Sequence, residues 1–188
     1  MKSFRPALTV ATLLALSTIA FTTALAQSQA QKSSAEVSFD KLKNLAGTWQ
    51  GTVTLDPPMQ GMGNTAMQVS LRVTSRGNAL VHEMKEAGSP DDPAKYDHPV
   101  TMFYLDSGRL LLTHYCDAGN RPRMTARTSS DGKVVEFDFL DVSGATGHGH
   151  MHHAVFTTID ANHHIEDWTY MMPGDKPMHA HMELERAK

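Results

Sequence analysis

The stretch RLLLTHYCDAGNRPRMTARTSSDGKVVEFDFLDV, Arg109 to Val142, decides the fold. A period of two runs through 109–117, 123–129 and 134–142, as in strands with one face buried. Ser130-Asp131-Gly132 between the last two is a short turn, compatible with antiparallel neighbours. Parallel pairing would need a crossover of about a dozen residues or more, and the stretch has no room for one.

Working outward, the same punctuation recurs at Ser75-Arg76-Gly77-Asn78, Asp106-Ser107-Gly108 and Asp160-Ala161-Asn162-His163. Further strands are expected near 48–55, 66–75, 79–87, 100–105, 151–160, 164–172 and 178–186, with no helical crossover after residue 47. Ten consecutive antiparallel strands would leave a long exposed edge unless the sheet closes. The expected fold is therefore all-β, a ten-stranded up-and-down barrel, with a two-sheet sandwich as the competing architecture. Longer connections at 56–65 and 88–99, rich in Pro, Gly and Asp, belong at the barrel ends, where loops gate or line cavities.

Residues 1–26 read as a secretory signal peptide: Lys2 and Arg5, an apolar run from Ala7 to Phe21, and the small-x-small site Ala24-Leu25-Ala26. Residues 27–37 read as a flexible leader, and 38–188 as one domain. Ser38 is the expected N-cap of a short helix carrying Phe39, Leu42 and Leu45, stopped by Gly47.

Removing the signal leaves 162 residues (188 minus 26) and takes the net charge from -3 to -5, since Lys2 and Arg5 go with it. That balance gives no electrostatic case for nucleic acid or an anionic membrane surface. A periplasmic or secreted protein, monomeric or weakly dimeric, is expected. Cys116 is the one Cys, so no internal disulfide forms, and burial is its expected state.

Assigning the more apolar face of each strand to the interior places His82, His114, Cys116, His164 and Glu166 inside, with Trp168 and Tyr170 continuing the face of His164 and Glu166. Buried without partners, such groups would cost about 1–3 kcal/mol each. They must bond one another, water, a ligand or a metal. His179 and His181 share a face with Glu183 and Glu185 and read as external. The run Gly147-His-Gly-His-Met-His-His153 is dense enough in imidazole to bind Zn²⁺, Cu²⁺ or Ni²⁺. Candidate metal ligands are His114, His150, His152 and His164.

Catalytic signatures are poor. Gly61-Met-Gly63-Asn-Thr-Ala66 lies between strands with no helix after it, and the His82-Glu83 pair lacks the second His of a helical zinc motif. No Gly-x-Ser-x-Gly elbow or phosphate loop occurs.

The run from Phe39 to Gly51, with its short helix and Gly47-Thr48-Trp49, resembles the opening of calycin-type barrels, whose Trp closes the barrel base. Leu111-Leu-Thr-His114-Tyr-Cys116, Asn120-Arg-Pro-Arg123-Met124, Phe137-Asp-Phe139 and Gly149-His-Met-His152 resemble an uncharacterised bacterial family of secreted, lipocalin-like proteins. That resemblance implies a fold and not an activity. A more distant likeness to the nitrobindin haem barrels rests on the opening motif, and no position here corresponds to their axial His.

These readings converge on a barrel binding a small, mostly apolar ligand, oriented by His82, His114, Arg123, His164 and Glu166, with Cys116, Trp168 and Tyr170 beside them. The alternatives are a Zn-, Cu- or haem-binding barrel, and a structural or stress protein without ligand or cofactor.

Overall fold

A computed structural model describes residues 31–59, 64–92, 94–129, 132–145 and 147–188. The signal segment 1–26, residues 27–30 of the leader, the Gly61–Gly63 turn and Ser130-Asp131 lie outside the described residues.

Among the described residues one α-helix, α1 (Ser34–Lys43), precedes ten strands: β1 (Gly47–Asp56), β2 (Thr65–Thr74), β3 (Ala79–Glu86), β4 (Val100–Asp106), β5 (Arg109–Tyr115), β6 (Asn120–Thr128), β7 (Val134–Gly144), β8 (His150–Thr158), β9 (His163–Met172) and β10 (Lys176–Arg186). Each strand pairs antiparallel with its sequence neighbours. β1 pairs with β10 from Trp49 opposite Arg186 to Asp56 opposite His179, which closes the barrel and removes both edges. At that seam Gly51 is needed for close approach: a Cβ there would stand 2.1 Å from the Glu183 carbonyl oxygen.

The helix begins earlier than the sequence reading placed it. Ser33 is the N-cap, its hydroxyl accepting from the Glu36 backbone N–H while the Glu36 carboxylate accepts from the Ser33 backbone N–H. Part of the supposed flexible leader is thus the first turn of α1, and Ser38 is buried inside the helix. α1 lies against β2, β4, β5 and β6 at one end of the barrel. Phe39 and Leu42, followed by Leu45 beyond the helix, are buried there. Trp49, fully buried, donates from Nε1 to the Leu45 carbonyl (2.7 Å), and the Arg186 guanidinium sits 4.1 Å over its ring.

Above this base the interior is filled by Leu80, Phe103, Leu110, Leu112, Met124, Phe137, Phe156, Met182 and Leu184, all at most 1% exposed. Burial of this kind is worth about 1.5–3 kcal/mol per large side chain and dominates the stability. Two register shifts break the ladders, between Arg123 and Met124 on β6 and between Met151 and His153 on β8. The opposite end, open of any helix among the described residues, carries the connections after β1, β3, β5, β7 and β9.

Candidate functional site

Alternation along β3, β5 and β9 brings four of the expected interior groups into one layer. His82, His114, His164 and Glu166 are each at most 1% exposed. Glu166 is the hub. Its Oε2 accepts from His82 Nε2 (2.9 Å) and Trp168 Nε1 (3.0 Å), and its Oε1 accepts from His164 Nε2 (2.9 Å). An ionised carboxylate only accepts, so both imidazoles carry hydrogen at Nε2. Burial by itself would raise the Glu166 pKa and is the largest single influence. The attraction of His82, with hydrogen bonds from His164 and His82, outweighs it and holds the carboxyl well below the usual range.

His114 belongs to the same layer through Thr101, which lies between it and His82 in register. Thr101 Oγ1 and His114 Nδ1 are 2.8 Å apart. The His114 and His82 rings both lie 5.7 Å from the Trp168 ring. Burial first, then repulsion from His82, pushes the His114 pKa down to about 3, so the ring is neutral at ordinary pH. Three imidazole nitrogens of the layer, His82 Nδ1, His114 Nε2 and His164 Nδ1, are buried with no hydrogen-bond partner among the described residues.

Cys116 lies just beyond β5 at the open end, half-buried rather than fully interior. Burial pushes its thiol pKa up. Tyr170 continues the inward face of β9 to the same end, where its hydroxyl donates to the His148 carbonyl (2.7 Å). Arg123 is a correction. Met124 takes the inward position beside it, so Arg123 turns to the outer face and pairs with Asp141 (Nε to Oδ1 2.8 Å). It cannot orient a ligand in the lumen from there.

The four candidate metal ligands are not brought together. His114 and His164 sit in the buried layer, whereas His150 and His152 lie at the start of β8, with His150 Nε2 and His152 Nδ1 3.2 Å apart. Among the described residues, the one group of three or more His, Cys, Asp or Glu with ligand atoms within 4.8 Å of one another is Glu136, Asp138 and His153 on the outer face. Arg127 already pairs with both of its carboxylates. His179 and His181 face outward as expected, bonded to Thr169 and Asp167.

Met84, on the inward face of β3 with His82, and residues the sequence did not single out shape the open end. Val53, Leu55, Met67 and Met84 from β1–β3, with Tyr96, Asp97 and Pro99 from the 87–99 connection, line a cavity of about 380 Å³. Met84 is two residues from His82 on the same strand face, so this apolar mouth lies next to the polar layer along β3. A larger concavity, about 880 Å³, lies chiefly over the outer faces of β1, β9 and β10, lined by Thr52, Thr54, Ile165, His181, Glu183 and others.

The barrel geometry recurs in the crystal structure of Rv2717c from M. tuberculosis, with a TM-score of 0.58, 12% identity, and coverage of 80% of this chain and 98% of that one. The likeness is one of fold. A protein of unknown function from the DUF3598 family of Nostoc punctiforme superposes more loosely, with a TM-score of 0.41, 8% identity, and coverage of 78% of this chain and 48% of that one. No family model matches the chain, and no curated protein sequence matches it. The ten-strand closed barrel accords with the calycin-type expectation at the level of architecture.

Proposed function

We propose that this protein is a periplasmic or secreted carrier that takes a small, mostly apolar ligand into the open end of its barrel. The observation that carries the reading is the mouth cavity, lined by Val53, Leu55, Met67 and Met84, the last of them two residues from the buried His82 on one strand face. About 380 Å³ falls within the usual range of small-molecule pockets, which combine apolar walls with a few polar groups that fix orientation. Met side chains adapt to irregular ligand shapes. In this reading the layer of His82, His114, His164 and Glu166, with Trp168 bonded to it, is the floor of the lumen beneath the ligand, while Cys116 and Tyr170 are not among the residues lining the cavity. The mature chain works as a monomer or weak dimer without nucleic-acid or membrane partners. A metal ion held by the buried histidines has less support, because among the described residues His82, His114 and His164 are in no group that brings three ligand atoms together.

The test is titration with N-phenyl-1-naphthylamine, read by probe emission and Trp quenching. Met84→Glu should weaken probe binding at least tenfold and His114→Ala several-fold, with circular dichroism unchanged, whereas His179→Ala should bind like wild type. Equal binding by wild type and folded Met84→Glu would exclude the mouth as the site.

A further inference from the structure

We propose that His150 and His152 form a preorganised two-imidazole site for a late first-row divalent metal ion, with Cu²⁺ the tightest bound. The site lies at the rim of the open end and is separate from the apolar mouth.

The first support is distance. His150 Nε2 and His152 Nδ1 are 3.2 Å apart. Two imidazole nitrogens each about 2.05 Å from a common ion, at that separation, subtend about 100° at it, between square-planar and tetrahedral cis angles. On a regular strand, residues two apart share a face but their rings need not converge. Here the register shift between Met151 and His153 leaves His152 unpaired with β9 and allows the convergence.

The second support is rigidity. From sequence, Gly147 and Gly149 suggest a loose entry into β8, yet the structure ties this segment down on several sides. Gly149 is buried at φ +90°, its carbonyl accepts from the buried Asn120 Nδ2 (2.6 Å), and a Cβ there would lie 2.3 Å from the Met171 carbonyl oxygen. The Tyr170 hydroxyl holds the His148 carbonyl. Phe139 packs on both rings, 4.7 Å from His150 and 4.8 Å from His152, stacked on the latter. Chelation by fixed donors avoids most of the ordering entropy that a flexible His-rich run would lose.

The third support is access. Both residues are half-exposed, so an ion can reach them and complete its coordination with water. Imidazole affinity peaks at Cu²⁺ in the divalent series.

The experiment titrates CuCl₂ into the untagged protein against glycine as competitor, with electron paramagnetic resonance to count coordinated nitrogens. One tight site with two imidazole nitrogens is expected, and His150→Gln and His152→Gln should each weaken it at least tenfold. His179→Gln should leave it unchanged. The same chain unfolded in guanidinium should bind at least tenfold more weakly. Equal affinity of the folded and unfolded chains, or of wild type and the folded His150→Gln and His152→Gln variants, would overturn the proposal. The Met84→Glu variant should keep the metal site, so failure of the mouth and failure of this site are separable.

Discussion

His114 links a single side chain to the stability of the molecule. In the unfolded chain it titrates at its ordinary 6.5, and in the folded chain at about 3. Between those values the unfolded chain holds a proton that the folded chain does not, so acidification destabilises the fold, at up to about 1.4 kcal/mol per pH unit. Glu166 acts lower in the scale. Its folded pKa is depressed, so its contribution is present above its ordinary 4.5 and is lost as pH falls below that. His163 and His181 have raised values and so favour the fold below 6.5, losing that effect as pH rises, but their exposure makes it small. Urea unfolding at pH 6.5 and pH 5.0, compared between wild type and His114→Gln, separates His114 from His150, whose pKa is also lowered. The wild type should lose about 1.5 kcal/mol across that interval, and His114→Gln should lose much less. An unchanged slope in the variant would assign the acid sensitivity to another group.

The strands were legible in the sequence because a period of two survives wherever one face is buried, and all ten lie within a few residues of their expected spans. The sequence reading starts β6 near 123. In the structure β6 begins at Asn120, and Pro122 lies beyond Arg123, the last residue paired with β5. The start of α1 was missed although the box from Ser33 to Glu36 was there to be read, since the polar residues before it suggested a leader. The buried layer was legible from alternation, but Thr101 was not, because its role depends on lying between His82 and His114 across two strand pairings. The mouth was hidden for a similar reason: its walls come from three strands and a connection distant in sequence. The closing seam offers its own test. A methyl group at Gly51 cannot fit beside the Glu183 carbonyl without parting β1 from β10. Gly51→Ala should cost about 1–3 kcal/mol in urea unfolding. Amide exchange should quicken first along 49–55 and 180–186, and a variant as stable as wild type would show that the seam can yield.

At the scale of the whole molecule the barrel is unequal at its two ends. The base is stoppered by α1 and Trp49 and packed with aromatic and aliphatic side chains, whereas the open end holds the longer connections and the apolar cavity. Local opening should follow that gradient, because segments with few buried apolar contacts open at low free energy. Amide exchange in the free protein should therefore be fastest in 87–99 and slowest around Trp49, His82 and Glu166. Binding of N-phenyl-1-naphthylamine tests which concavity is used, since a ligand protects the segments whose opening it opposes. Protection confined to 53–56, 65–68 and 84–99 would locate the probe at the mouth. Protection confined to outer-face segments of β9 and β10, around Ile165 and Glu183, would instead assign it to the larger external concavity and would leave the buried histidines a purely structural network.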